Sequence, residues 1–342
     1  MSHDPGAEWR ISETEYPASG AVADRLRFLV RYAILAPSGH NTQPWLFRIA
    51  GDRLEVIADR TRALPVVDPH DRALVISCGA AIGVLRAALR HFGHSGEIEW
   101  LPGGDDPDLL ARVGLGSPNQ PDAAEEARFQ AITRRRSTRL AFADEPLPPG
   151  LAEELLALAG ADGTELALLT EPDRKAAVAA LVAEGDRAQF ADPAFRRELA
   201  AWVHSRRAAS RDGMSGAAFG MPDILSGVGG LVIRTFDMGA GIGAKDEQIA
   251  TRSPALLAVA TPGDTARDWL AAGIAHVTLL LEATARGLTA AYVNQPVEVE
   301  PLRPRLREVA GVAGLPQLLL RIGRGPGITP AVRRPPEEVI LA

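Results

Sequence analysis

The chain is poor in the residues that most often announce a chemistry. Of its 342 residues only one, Cys78, is a cysteine, so an intrachain disulfide is excluded and a reducing compartment is expected. The seven histidines show neither H-x-x-x-H nor paired Cys/His spacing, which leaves no metal-ligand motif. Basic residues are in deficit. At a net charge of −6, no global positive field draws the chain to nucleic acid or to an anionic membrane. The stretch Met1 to Tyr16 lacks the basic-then-apolar pattern of a leader. No apolar run approaches the roughly 20 residues that span a bilayer. Together these absences read as a soluble, cytoplasmic protein. What is present is apolar material: 46% hydrophobic residues, enough for one large domain or two ordinary ones.

Residues 1–20 read as a loose N-terminal arm. A first unit, 21–122, opens with a helix-patterned run (Leu26, Leu29, Val30, Ala33, Ile34). A loop comes next, then two strands, Trp45 to Ile49 and Leu54 to Ala58, turned at Gly51-Asp52. Further on, Val75, Cys78, Ile82, Leu85 and Leu89 share one helical face closed by Gly93, which makes Cys78 a core thiol. A linker rich in Pro, Gly and Asp, Pro102 to Asp122, ends this half. Residues 123–342 echo the plan. Trp269 to Gly287 is again an apolar helix closed by glycine, and Leu151 to Ala159 matches the helix before the loop. With Gly287 laid on Gly93, Gly273 falls on Gly79, and small residues at such points admit close helix packing. The chain reads as two diverged copies of one unit.

The most informative stretch is Ala36-Pro37-Ser38-Gly39-His40-Asn41-Thr42-Gln43-Pro44-Trp45. Pro37 stops the preceding helix, because the residue before a proline is pushed out of helical geometry. Between Pro37 and Pro44 no regular ladder forms, so backbone N–H groups need other partners. Ser38, Asn41 and Gln43 both donate and accept hydrogen bonds. On chemistry alone, a capped helix with a tight turn accounts for the loop as well as a ligand does. The ordered string, however, resembles the A-P-S-x-x-N-x-Q-P-W loop of the nitroreductase-fold flavoproteins, which contacts the FMN ring and ribityl chain.

The second half opens with Arg134-Arg135-Arg136-Ser137-Thr138-Arg139-Leu140-Ala141-Phe142. Alone, such a run is a solvated basic helix face, with Arg135 and Arg139 on one side. It resembles the R-R-x-S-x-R segment with which the same family holds the FMN phosphate. In that family the loop and the arginine segment come from different subunits of a dimer; here each occurs once, in opposite halves. The resemblance implies an α+β fold, nitroreductase-like, with antiparallel sheets and flanking helices. It also implies a monomer that acts as an intramolecular pseudo-dimer and carries one FMN.

The implied cofactor residues are Pro37, Ser38, Gly39, Asn41 and Gln43 from the loop, then Arg135, Ser137 and Arg139 for the phosphate. Arg333 and Arg334 resemble the late basic-then-proline segment that reaches the same phosphate, with Arg321 and Arg324 as a fallback. Asn294 and Gln295 stand where the family passes the N5 side of the ring, usually with Glu-Gly. No catalytic acid stands out. The implied activity is reduction of FMN by NAD(P)H and then of a small electron-poor acceptor, such as a nitroaromatic or a quinone. Residues from about 187 to 253 read as an insertion, helical from Phe195 to Arg207 and then a long irregular loop, Gly- and Met-rich from Asp212 to Pro222. It resembles the lid of Acg-type tandem members, which implies the alternative of FMN sequestration with little turnover. The tail reads as a wrapping segment. Gly239 to Ala244 fits G-x-G-x-x-A, but a dinucleotide fingerprint must open a helix, and the run from Lys245 to Gln248 reads as too short and polar for one.

Overall fold

The structure is a computed structural model that describes residues 4, 6–104, 106–204, 210–215, 233–235 and 237–342. Helix α1 (Val22–Ala33) buries Leu26, Leu29, Val30 and Ala33. Strands β1 (Trp45–Ala50) and β2 (Arg53–Ala58) form a hairpin whose two-residue turn places Gly51 at φ +62°, a geometry that favours glycine. Helix α2 (Arg72–His91), β3 (Glu97–Trp100) and β4 (Leu109–Gly114) complete an antiparallel sheet in the order β1-β2-β4-β3.

The rest of the chain contains α3 (Ala123–Ala131), α4 (Leu151–Ala161), β5 (Glu165–Leu169), α5 (Pro172–Ala191) and α6 (Pro193–Ala201). Two-residue strands β6 (Val203–His204) and β7 (Met214–Ser215) pair in parallel. Next come α7 (Gly239–Arg252), β8 (Ala255–Thr261), α8 (Ala266–Ala285) and β9 (Thr289–Tyr292). Helices α9 (Gln295–Glu298) and α10 (Arg303–Ala310), β10 (Leu315–Gly323) and α11 (Pro336–Val339) finish it. The second sheet is also antiparallel, in the order β5-β8-β10-β9. The succession α1-β1-β2-α2-β3-β4 thus recurs as α4-β5-β8-α8-β9-β10, with the same strand order. One difference stands out: two residues join β1 to β2, whereas residues 170–254 separate β5 from β8.

Helices α2 and α8, the matched pair, pack on each other through the glycines read from the sequence. A Cβ on Gly79 would stand 2.5 Å from the Leu270 carbonyl oxygen and 3.1 Å from Gly273 Cα. One on Gly273 would stand 2.8 Å from the Ala80 nitrogen. Such approaches are open to glycine alone. Contrary to the expectation of no long apolar run, α2 has the length and composition of a membrane span, but most of it is buried between the halves.

Two further expectations are corrected. The helix from Phe195 ends at Ala201, and much of the described insertion is helical rather than irregular. The expected Gly- and Met-rich stretch from Gly216 to Pro222 lies outside the described residues. The G-x-G-x-x-A string lies within α7, a helix of 14 residues, where a short polar stretch was expected. Its glycines serve packing: a Cβ on Gly239 would stand 2.9 Å from Phe190 Cβ, and one on Gly243 2.9 Å from the Ala183 oxygen. The string opens this helix, but residues 233–235 ahead of it are helical, so among the described residues the strand that a dinucleotide fingerprint follows is missing. The tail crosses to the first sheet, where Ile340 bridges Phe47 in parallel and the Leu341 N–H donates to the Phe47 oxygen at 2.7 Å.

Candidate functional site

The loop after α1 turns sharply. His40 (φ 48°), Asn41 (φ 56°) and Gln43 (φ 53°) all occupy the left-handed region, which non-glycine residues enter only when their surroundings over-determine it. The surroundings here do. Ser38 Oγ accepts the Gln43 N–H at 2.9 Å. Asn41 Nδ2 donates to the carbonyls of Gly213 (3.0 Å) and Val332 (3.2 Å), and its Oδ1 accepts from Arg333 Nη1 at 2.8 Å. Gln43, wholly buried, donates from Nε2 to the Arg211 oxygen and accepts the Arg334 N–H on Oε1, both at 2.8 Å. Asn41 and Gln43 are therefore engaged in tying the loop to the insertion and the tail. Pro37 is buried, while Ser38 and Gly39 keep partial exposure.

The arginine segment is not a continuous helix: residues 132–134 turn, and the chain then meets a sheet edge. Helix α3 stops at Ala131, Ser137 bridges Ala290 of β9, and the Thr138 N–H donates to the Ala290 oxygen at 3.1 Å. This overturns the shared helical face expected of Arg135 and Arg139: the sheet edge offered the backbone better partners. A period of two still sets Arg135, Ser137 and Arg139 on one side, and Arg135 Nη1 donates to Ser137 Oγ at 3.1 Å. Arg135 Nη2 also reaches the Leu35 oxygen at 3.3 Å, just before the loop in the other half. Arg333 Nη2 reaches the Leu35 (3.3 Å) and Ala36 (3.1 Å) oxygens. The two motifs and the tail meet at this point.

Beside them lies Trp9, from the arm expected to be loose. It is 5% exposed, and its Nε1 donates to the Ala331 oxygen at 2.8 Å. The guanidinium carbons of Arg136, Arg333 and Arg135 stand 4.4, 5.0 and 5.9 Å from its ring centroid. The indole face offsets a little of their repulsion. Among the described residues none of these three arginines makes an ion pair, and Arg333 Nε has no partner. Burial first, then the neighbouring arginines, lowers the pKa of Arg333 and Arg136, yet a guanidinium keeps its proton. Glu8 attracts Arg333 through space but forms no ion pair with the three among the described residues, and buried positive charge so weakly countered asks for an anion.

The family profile described as Nitroreductase family matches residues 132–324. The chain is 32% identical over 327 residues to Rv3131 of Mycobacterium tuberculosis, provisionally named an NAD(P)H nitroreductase, covering 93% of this chain and 91% of that one. The chain belongs to the nitroreductase family. It is also similar to acg of the same organism, provisionally named likewise, at 25% identity over 327 residues, 94% of this chain and 97% of that one. Among solved structures, an FMN-bound nitroreductase from Bacteroides fragilis aligns with 60% of this chain and 94% of its own, at a TM-score of 0.38 and 12% identity. The FMN-dependent nitroreductase NfnB from Mycobacterium smegmatis, in complex with NADPH, aligns with 58% and 87%, at 0.33 and 18%.

In this nitroreductase-family chain, not every expected residue joins the arginine cluster. Arg334 donates from Nη1 to the Gln43 oxygen (3.2 Å), pairs with Asp59 (3.5 Å) and donates from Nη2 to the Glu338 oxygen (2.9 Å). Asn294 is a brace, its Oδ1 accepting the Leu319 N–H at 2.8 Å. Arg321 lies 4.2 Å from the Phe142 ring centroid, and Arg324 pairs with Glu145 at the surface. Arg139 and His40 keep solvent access, yet dense surroundings depress both pKa values; burial and then the Arg139 charge push His40 down to about 4. Partly exposed Tyr292 is pushed by burial up to about 12, and its hydroxyl donates to His276 Nε2 at 3.1 Å. Access combined with dense surroundings marks the walls of a recess.

The insertion closes over the loop through residues 210–214. Arg62 bonds to the Thr42 oxygen and pairs with Asp212, which stands 3.3 Å from His204 Nε2. Arg139 Nη2 reaches Met214 Sδ at 3.5 Å. Sequence reading missed Trp9, Arg62 and the carboxylates around Gln295. A single tryptophan in an otherwise polar arm was the one available signal for the first; nothing local marked the others.

Proposed function

We propose that the chain is an FMN-dependent oxidoreductase that binds one FMN, takes electrons from NAD(P)H and reduces a small electron-poor acceptor such as a nitroaromatic or a quinone. The observation that carries this reading is the convergence of Arg135 and Arg333 on the Leu35 oxygen just before the Pro37–Trp45 loop, with Arg136 beside them on Trp9 and none of the three in an ion pair among the described residues. The donor set fits a phosphate monoester, which carries nearly two charges and takes forked, charge-assisted N–H donors. Arg135, Ser137 and Arg333 would hold that phosphate, and the orphaned Nε of Arg333 supplies a further donor. Ser38, Gly39, Arg139 and Gln295 would line the way to the ring, with residues 21–122 and 123–342 as the two halves of one pseudo-dimer.

Bound flavin supplies the hydride chemistry; the chain supplies placement and a recess that limits water. His40, its pKa near 4, is neutral at pH 7, so Arg139 carries the positive charge on that wall. The purified protein should take up one FMN per chain, and anaerobic NADPH should bleach the flavin band within seconds. A protein that stays colourless after incubation with FMN would end the proposal.

The strap at 210–214 favours a second reading, a protein that holds FMN and turns over little. Its carbonyls occupy the side chains of Asn41 and Gln43, and Asp212 clamps it to Arg62. A bound flavin that does not bleach over many minutes with NADPH would select this alternative.

A further inference from the structure

A second charged cluster reaches the recess from the insertion. Asp186 on α5 is 2% exposed, and its Oδ1 accepts from Gln295 Nε2 at 2.9 Å. Among the described residues Asp186 Oδ2 has no donor, and neither has Gln295 Oε1. The two orphaned acceptors thus belong to the two side chains already joined by one hydrogen bond. We infer that the missing partner is a proton: on the acid side of neutrality Asp186 is a carboxylic acid, its Oδ2–H donating to Gln295 Oε1 to close a cyclic acid–amide pair.

The fold is built for this contact. A Cβ on Gly185 would stand 2.6 Å from Gln295 Cβ, so a glycine there is what lets α5 seat so closely. The surroundings favour the neutral form. Asp246 on α7, beside Lys245, has its Oδ2 3.4 Å from the same Nε2. From α9, Glu298 adds a third carboxylate, held by Gln189 Nε2 at 2.8 Å and faced by Arg72 and Asp68. Arg139 is the nearby cation, with Arg321 beyond it on the side of Asp246. Two carboxylates sharing one amide cannot both ionise cheaply in a buried setting. Burial first, then the Asp246 charge, pushes Asp186 up to about 7, and the pair therefore opens as pH rises through neutrality.

Asp186 is thereby a positioning residue. It holds the Gln295 amide in one orientation, and only its effect on a ligand rests on the flavin reading above. Infrared spectra of the full chain in deuterated buffer should show a protonated-carboxyl C=O band at about pH 6 that fades by about pH 8, with or without FMN. Asp186→Asn should lack this band. Asp246→Asn should keep it and shift its fading to lower pH, because a neighbouring negative charge is gone; this variant serves if the first does not fold.

Asparagine at 186 reproduces the pair with an N–H in place of the O–H. Riboflavin, which lacks the phosphate that itself titrates near 6, should bind the wild type about tenfold more weakly at the higher pH and bind Asp186→Asn equally at both. A band unchanged by Asp186→Asn, or one that fades at the same pH in Asp246→Asn, overturns the assignment. A band that behaves as expected in a protein that binds no flavin would instead overturn the functional reading and leave the proton in place.

Discussion

Two clusters of like charge face the same recess, and they resolve their repulsion in different ways. Arg135, Arg136 and Arg333 share an indole and a few carbonyls and make no ion pair among the described residues. Asp186, Asp246 and Glu298 share two amide side chains. Carboxylates can neutralise themselves by taking up a proton, at the modest expense of a raised pKa. Guanidiniums have no such exit within the working pH range, and beyond the distant pull of Glu8 on Arg333 it takes a bound anion to relieve them. The basic end therefore advertises a ligand, while the acidic end advertises a proton.

The largest effect should come from breaking the basic end. Arg333→Ala should weaken FMN binding by about 3 kcal/mol, on the order of a hundredfold, as when a charge-assisted partner is lost. Arg135→Ala should do nearly as much, whereas Arg334→Ala, outside the cluster, should do far less. Fluorescence titration checks all three, and equal losses would mean that the tail matters only as a brace.

A related test needs no flavin. Inorganic phosphate should raise the melting temperature of the cofactor-free protein more than chloride does at matched ionic strength, because ligands of the native state stabilise it. That increment should vanish in Arg333→Ala.

The acidic end is expected to show in the pH dependence of stability. The folded pKa of Asp186 is raised, so its contribution is fully present below the unfolded value near 4 and is lost as pH rises through about 7. Between about pH 6 and pH 8 the wild type should lose roughly 1 kcal/mol of unfolding free energy that Asp186→Asn retains, measured by denaturant titration. Parallel profiles for the two proteins would place the proton elsewhere.

The smallest effect belongs to the strap. The Asp212 carboxyl lies below its usual range: burial alone would raise it, but hydrogen bonds from Ser210 and Arg62 outweigh that. Its contribution is therefore present above the unfolded pKa and fades as pH falls. Asp212→Asn should cost at most about 1 kcal/mol in stability yet speed flavin bleaching by NADPH. An unchanged rate would show that the strap does not gate the recess.

Much of this was legible in the residue order. Paired glycines at 79 and 273, each with a closing glycine after it at 93 and 287, foretold the helix contact on which the halves meet, since close backbone approach demands a missing side chain. The string from Ala36 to Trp45 and the arginines from 134 carried the family resemblance. The non-helical course of 135–139 was not legible, because a free edge on β9 overrode the local helical spacing. Likewise the run from Lys245 to Gln248 reads as too short and polar for a helix until α5 supplies the surface on which Gly239 and Gly243 of α7 pack.

By itself, the amino-acid order determined which groups were available: two prolines that deny the loop a ladder, guanidiniums that cannot discharge, glycines that admit a neighbour. Tertiary structure alone decided which of them face one another. Asn41 and Gln43 became braces, Trp9 a platform and Asp186 a buried acid. Burial and the charges brought alongside set a side chain's pKa and its free hydrogen-bonding capacity, and both arise only when distant segments pack.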